Sequence, residues 1–134
     1  ETSSTMRKLM RLTVEHGTGR KANVKGYLPG GKTGSAEKVT KNGYSKKEKL
    51  SLFFSSFPMN NPRYTMLIIL DDPKPNATTP FSGGGWTSAP LSGRIINRIA
   101  PLLNVKPIDD NNPEIKQQLW LDFKPEQETF EKSF

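Results

Sequence analysis

Two apolar runs constrain this fold most: 48–58 (EKLSLFFSSFP) and 63–73 (RYTMLIILDDP). Each is rich in Leu, Ile and aromatics and has no internal Pro or Gly, the composition of β-strands. The segment between them, PMNNP, has the residues of a compact turn, so the runs are expected to fold as an antiparallel hairpin. Within the second run, MLIIL (66–70) is apolar on consecutive positions, which predicts a strand covered on both faces.

Helical patterns stand on either side. In TSSTMRKLMRLTVEHGTG (2–19), Met6, Leu9, Met10, Leu12, Thr13 and Val14 form a mostly one-sided stripe, with Thr2, Ser3 or Ser4 as cap and Gly17 or Gly19 as terminator. In TSAPLSGRIINRIAPLL (87–103), Thr87 or Ser88 caps, and Pro90 suits the first turn. Leu91, Ile95, Ile99, Leu102 and Leu103 line one face, and Pro101 is expected to kink or shorten the end. RKANVKGYLPG (20–30) reads as an extended connection and DDPKPNATTPFSGGGW (71–86) as a loop. The expected fold is α+β, an antiparallel sheet of about three strands packed with N- and C-terminal helices. Asn76-Ala77-Thr78 matches a glycosylation sequon, a weak signal.

Charge divides the chain. Residues 1–107 hold 17 Lys and Arg against 6 Asp and Glu, whereas 108–134 hold 3 against 7. This splits the chain into a basic body, 1–107, and an acidic C-terminal tail, 108–134. In the tail EIKQQLWL suits a short helix and the remainder a loose segment. Lys38, Lys41, Lys46, Lys47 and Lys49 surround KNGYS, which reads as an exposed, solvated turn; no aromatic ladder interleaves them, so no nucleic-acid partner is expected. The absence of Cys excludes disulfides and a thiol nucleophile, and a lone His disfavours a zinc site or a Ser-His triad, so neither metal nor cofactor is expected. Glu1 is not an initiator Met, and the chain reads as a soluble fragment.

GYLPGGKTGS (26–35) carries the chemistry, and it admits two readings. Gly26, Gly31, Lys32 and Thr33 fit G-x-x-x-x-G-K-[ST], the phosphate-binding P-loop. The same residues hold K-T-G, one of three motifs of penicillin-binding proteins and class A β-lactamases. A P-loop needs a buried strand before it and a helix beginning at its Lys-Thr. Here GRKANVKGYLPG precedes, GSAEKVTKNGYSKKEK follows, and neither has that pattern. The alternative asks for a strand at a sheet edge, where an extended ligand adds main chain to main chain. Gly34 would then allow close approach, Lys32 supply positive charge, and Thr33 and Ser35 offer hydroxyls to a carboxylate. The Ser35 N–H could face a developing oxyanion.

EHGTGRKANVKGYLPGGKTGSAEK resembles the stretch through the Lys-Thr-Gly motif of class B penicillin-binding proteins, and is close to the septal, FtsI-like transpeptidases. FFSSFPMNNPRYTMLIILDDPK resembles the last two sheet strands of that fold, and GGGWTSAPLSGRIINRIAPLL the C-terminal helix packed on it. The likeness covers about residues 1–107 and implies part of the penicillin-binding-protein/serine β-lactamase-like fold. It implies a parent anchored in the bacterial inner membrane with this domain in the periplasm, working with cell-division proteins. The parent would cross-link peptidoglycan stem peptides ending in D-Ala-D-Ala and be acylated by β-lactam antibiotics.

On that likeness Lys32 shapes the site electrostatics, Thr33 and Ser35 bind the donor carboxylate, Gly34 adjoins the ligand, and the Ser35 N–H is half of an oxyanion hole. The family's S-x-x-K and S-x-N motifs are missing: of the serines only Ser35 has Lys at +3, Lys38, within the same predicted strand. The nucleophile is expected outside the chain, which alone is expected to be inactive. A binding module that kept the fold without the chemistry is the alternative. His16 is expected to cap the first helix, Trp86 to anchor packing, and Gly93 to mark close helix–sheet contact. The strand at 64–70 would leave an apolar edge open to two-fold self-pairing unless the tail segment EIKQQLWLDF covers it.

Overall fold

The computed structural model describes residues 1–121. Helix α1 (Thr2–Glu15) leads through a 3₁₀ turn (Arg20–Ala22) into β1 (Gly30–Thr40), β2 (Gly43–Phe57) and β3 (Tyr64–Asp71), followed by α2 (Ser88–Ile99) and α3 (Pro113–Leu119). The sheet is antiparallel in the order β1-β2-β3. The α+β arrangement and the 57–64 hairpin match expectation. β2 begins earlier than the apolar run because β1 and β2 form a second hairpin across Lys41-Asn42, with Gly43 at φ 99°. Its tip is exposed, as expected of KNGYS.

Register sorts the strand residues into two faces. Gly31, Ser55 and Met66 share one face with the rows Thr33-Phe53-Ile68 and Ser35-Ser51-Leu70. α1 and α2 both cover this face: Phe53 is fully buried among Val14, Ala22 and Ala89. The other face carries Lys32, Phe54, Leu67 and Ile69. Leu67 and Ile69 are more than half exposed. This corrects the expectation that MLIIL is covered on both sides; among the described residues only alternate positions of β3 are covered, because both helices lie on one face.

The helical stripes are also shifted from those expected. On α1 Met6 and Leu9 are exposed, whereas Arg11 is buried beside Val14. The Arg11 guanidinium donates to Asn23 Oδ1 (2.9 Å) and the Pro29 carbonyl (2.8 Å) and pairs with Glu15 (3.0 Å). Burial pulls its pKa below the ordinary arginine value, opposed by Glu15 and Asp110. α1 starts at Thr2 with Glu1 in the cap position, and no side chain caps it. α2 docks through small residues, burying Ala89, Ser92, Gly93 and Ile96, while Leu91 and Ile95 are only partly covered and Leu102 is exposed. Small residues let the helix axis approach closely, which an apolar count does not register. The helix ends before Pro101, as expected. Gly93 marks close packing, but against the 3₁₀ turn rather than the sheet: a Cβ there would lie 3.2 Å from the Ala22 backbone.

The connection at 20–30 is folded rather than extended. Gly26, at φ 89°, donates its N–H to Asp110 Oδ1 (2.8 Å), and its carbonyl accepts from Ile108 N–H (2.8 Å). The described part of the acidic tail therefore packs onto the body. α3, capped by Asn112 accepting from Glu114 N–H, places Ile115 and Leu119 against Leu28 and Met59, with Met10 and Ile108 alongside. The described tail thus lies against α1 and not along β3; Asp122, Phe123 and the segment expected to be loose fall outside the described residues. His16 occupies the C-cap position of α1, its N–H on the Leu12 carbonyl (2.9 Å), and its ring stands edge-on to Trp120.

Candidate functional site

The chain continues past Lys32-Thr33 as strand β1 to Thr40, which removes the helix a P-loop requires. Among the described residues β1 pairs only with β2, so it is an edge strand in which every second residue turns its N–H and C=O outward.

Three segments converge on this edge. The first is the turn after α1. Gly17 and Gly19 both donate to the Thr13 carbonyl (3.1 Å each), and this sets Thr18 with its hydroxyl 2.9 Å from that of Thr33. The second is β1 itself. Lys32 reaches back so that Nζ donates to the Thr33 carbonyl at 3.0 Å. The third is the glycine run before α2. The Thr87 hydroxyl donates to the Gly83 carbonyl (3.0 Å) and also meets Ser51 of β2, which in turn meets Ser88 (2.6 Å). One helical turn on, Ser55 meets Ser92 at 3.1 Å. Thr87 therefore sits at the cap position, but its hydroxyl ties the loop to the sheet instead of capping the helix.

This clamp presses the glycine run onto β1. A Cβ on Gly84 would lie 2.4 Å from the Leu52 carbonyl oxygen and 3.0 Å from that of Gly34; one on Gly85 would lie 2.6 Å from the Thr18 carbonyl oxygen. Only glycine admits that approach.

The result is a cleft of about 500 Å³. Lys32, Thr33, Gly34 and Ser35, the residues singled out from the sequence, all line it. So do Thr18, Arg20, Lys21, Lys49, Phe81 and Trp86, to which sequence reasoning gave no place in the site. The Gly-Thr-Gly and Gly-Gly-Gly-Trp signatures were the available signal for some of these; Arg20, Lys21 and Lys49 carried none beyond their charge. Trp86, expected to be a packing anchor, packs on Phe81 (ring centroids 5.1 Å apart) but also forms part of the cleft wall. Four lining residues are cationic and none is acidic. Such a cleft concentrates positive potential and suits an anionic ligand.

Ser35 and Lys38 do not make a nucleophile–base pair. They lie along one strand rather than one helical turn, and Lys38 Nζ is 2.7 Å from Asp71. That hydrogen bond holds the Lys38 ammonium above its ordinary pKa, the reverse of what a base needs.

A family model for the penicillin binding protein transpeptidase domain matches residues 1–97. The probable peptidoglycan D,D-transpeptidase FtsI of Caulobacter vibrioides is 47% identical across 78% of this chain, and stage V sporulation protein D of Bacillus subtilis 39% across 92%. The chain spans about a fifth of the length of these curated relatives (20% and 18%). Among solved structures, penicillin binding protein 3 of Mycobacterium tuberculosis, complexed with ampicillin, superposes with a TM-score of 0.68 at 29% identity. That match covers 90% of this chain and 27% of the other. The transpeptidase domain of penicillin-binding protein 3 from Burkholderia pseudomallei gives 0.65 at 34% identity, covering 78% and 30%.

Proposed function

The chain belongs to the penicillin binding protein transpeptidase domain family, and from that premise we propose that it supplies the carboxylate-binding wall of a peptidoglycan D,D-transpeptidase. The observation that carries this reading is the cleft at the β1 edge, where Thr33 and Ser35 lie among four cations with no acid in the lining.

The chemistry assigned to each part is that which the family likeness implies for these positions. A stem peptide ending in D-Ala-D-Ala lays its main chain along the free edge of β1 as an added strand. Its terminal carboxylate takes hydrogen bonds from the Thr33 and Ser35 hydroxyls, with the Lys32 ammonium as charge partner. Thr18, hydrogen-bonded to Thr33, holds that hydroxyl in place. The Ser35 N–H stabilises the oxyanion when a serine from outside this chain attacks the penultimate carbonyl. The C–N bond to the terminal D-Ala breaks and that residue leaves as a free amino acid. The amine of a second stem peptide then attacks the serine ester, forming the cross-link and releasing the serine. A β-lactam is assigned to the same cleft, its own carboxylate on Thr33 and Ser35; that the mycobacterial neighbour is complexed with ampicillin supports β-lactam binding, though not these contacts.

We place this reaction in the periplasm, in cell division, with the 134-residue chain inactive alone. Among the described residues no helix is long and apolar enough to cross a membrane. The test is a ¹H–¹⁵N NMR titration of the chain with an acetylated peptide ending in D-Ala-D-Ala. Expected are shifts at Thr18, Thr33, Ser35 and the Trp86 indole that disappear in Thr33→Val; shifts elsewhere only, or none, overturn the reading.

A further inference from the structure

The cleft holds more positive charge than one carboxylate requires. Lys32 serves the terminal carboxylate in the reading above. Arg20, Lys21 and Lys49 line the same cleft, and none makes an ion pair among the described residues. Unmatched like charges around a concave wall raise its potential and disfavour an empty or singly charged occupant.

Lys21 is the most definitely placed of the three. Its ammonium lies 3.3 Å from the centroid of the Trp86 ring. An indole face attracts a cation without neutralising it, and an ammonium has three donors, so donors remain to meet a ligand. Both partners are held from behind. Trp86 follows the glycines pressed on Thr33 and Thr18, its N–H on the Gly83 carbonyl (2.9 Å). Lys21 belongs to the 3₁₀ turn that packs against Gly93 of α2. A long side chain pinned in this way loses less freedom on binding than a solvated lysine.

We propose that Lys21, stacked on Trp86 and flanked by Arg20, forms a second anion subsite, so that the cleft selects peptides bearing another free carboxylate besides the C-terminal one. This rests on the peptide-binding reading above. The terminal carboxylate docks at Thr33 and Ser35, and a side-chain carboxylate further along the same peptide docks at Lys21. Amidation of that side-chain carboxylate removes the selected group.

The test compares two acetylated peptides ending in D-Ala-D-Ala, identical except that a glutamate side chain preceding the alanines is free in one and amidated in the other. Each is titrated into the 134-residue chain and followed by NMR. The expected result is affinity about fivefold higher for the free acid, the discrimination of a half-exposed ion pair. The ratio falls towards one in Lys21→Gln and in high salt. Arg20→Gln, judged by the same ratio, serves if Lys21→Gln spectra show loss of fold. Equal affinity for the two peptides, with binding still lost in Thr33→Val, overturns the second subsite and leaves the peptide-binding reading standing. A preference unchanged by either basic substitution also overturns the second subsite. Failure of both peptides to shift the cleft resonances overturns both readings.

Discussion

Thr33 meets Thr18 on one side and the open cleft on the other, so its hydroxyl is oriented before any ligand arrives. A donor preorganised in this way contributes most where charge is concentrated, on the order of 3 kcal/mol for one lost donor. In a full-length transpeptidase carrying this segment, Thr33→Val and Lys32→Ala are each expected to slow acylation by penicillin about a hundredfold. Stopped-flow acylation rates within twofold of the parent would remove these residues from the site. Gly84 makes a different demand. Its missing side chain is what lets the loop rest on the Leu52 and Gly34 carbonyls. Gly84→Ala must push the loop off β1, at about 1–3 kcal/mol, the usual cost of overpacking. A urea midpoint equal to that of the unsubstituted chain would show that the loop is not held there.

At the scale of elements, β2 is the organiser. Its serines hold α2 by three hydroxyl contacts, and its two neighbours are both edges. β1 lines the cleft at its edge. β3 has no such use within the described chain, and Leu67 and Ile69 leave its outer face apolar. Exposed strand edges of this kind recruit other strands, so the isolated chain is expected to self-associate through residues 64–70 by two-fold pairing. Ile69→Lys, on the open face, should weaken that association with little loss of fold. Ile68→Lys places the charge on the covered face, where it should destabilise the fold itself. Sedimentation velocity decides: a monomer at high concentration in the unsubstituted chain would mean that the edge does not pair.

At the scale of the whole molecule, the proposed carboxylate-binding wall has no nucleophile of the S-x-x-K type on a helix among the described residues. The 134-residue chain is therefore expected to form no covalent adduct with penicillin, checked by intact-mass spectrometry; stoichiometric acylation would contradict the assignment of the serine to a segment outside it. MgATP and MgGTP are expected not to bind at 26–33, because β1 continues where a phosphate-binding helix would start. Micromolar affinity by calorimetry would reverse that conclusion. The tail is part of the same body up to Leu119, since Asp110 accepts from the Gly26 amide and Ile115 and Leu119 are buried.

What could be read without coordinates was local. Strand composition, turn residues, helical stripes and a run of particular side chains located the hairpin, both longer helices and the Lys32-Thr33-Gly34-Ser35 stretch, because the residues encoding each lie within a few positions of one another. The rest depends on what lies opposite each residue. Apolar counts chose Leu91, Ile95, Ile99, Leu102 and Leu103 for the buried face of α2; Ile99 and Leu103 do pack on the core, but the fully buried contact is made by Ala89, Ser92, Gly93 and Ile96, because close approach favours small side chains. The same counts covered β3 on both sides, whereas α1 and α2 both lie on one. Lys21 and Trp86 are 65 positions apart in the chain and meet only because Thr87 and Ser88 are tied to Ser51 and Gly93 closes on the 3₁₀ turn. The chemistry of the motif was a property of the sequence; the charge and shape of the cleft around it belong to tertiary packing, which alone determines which distant residues share one wall.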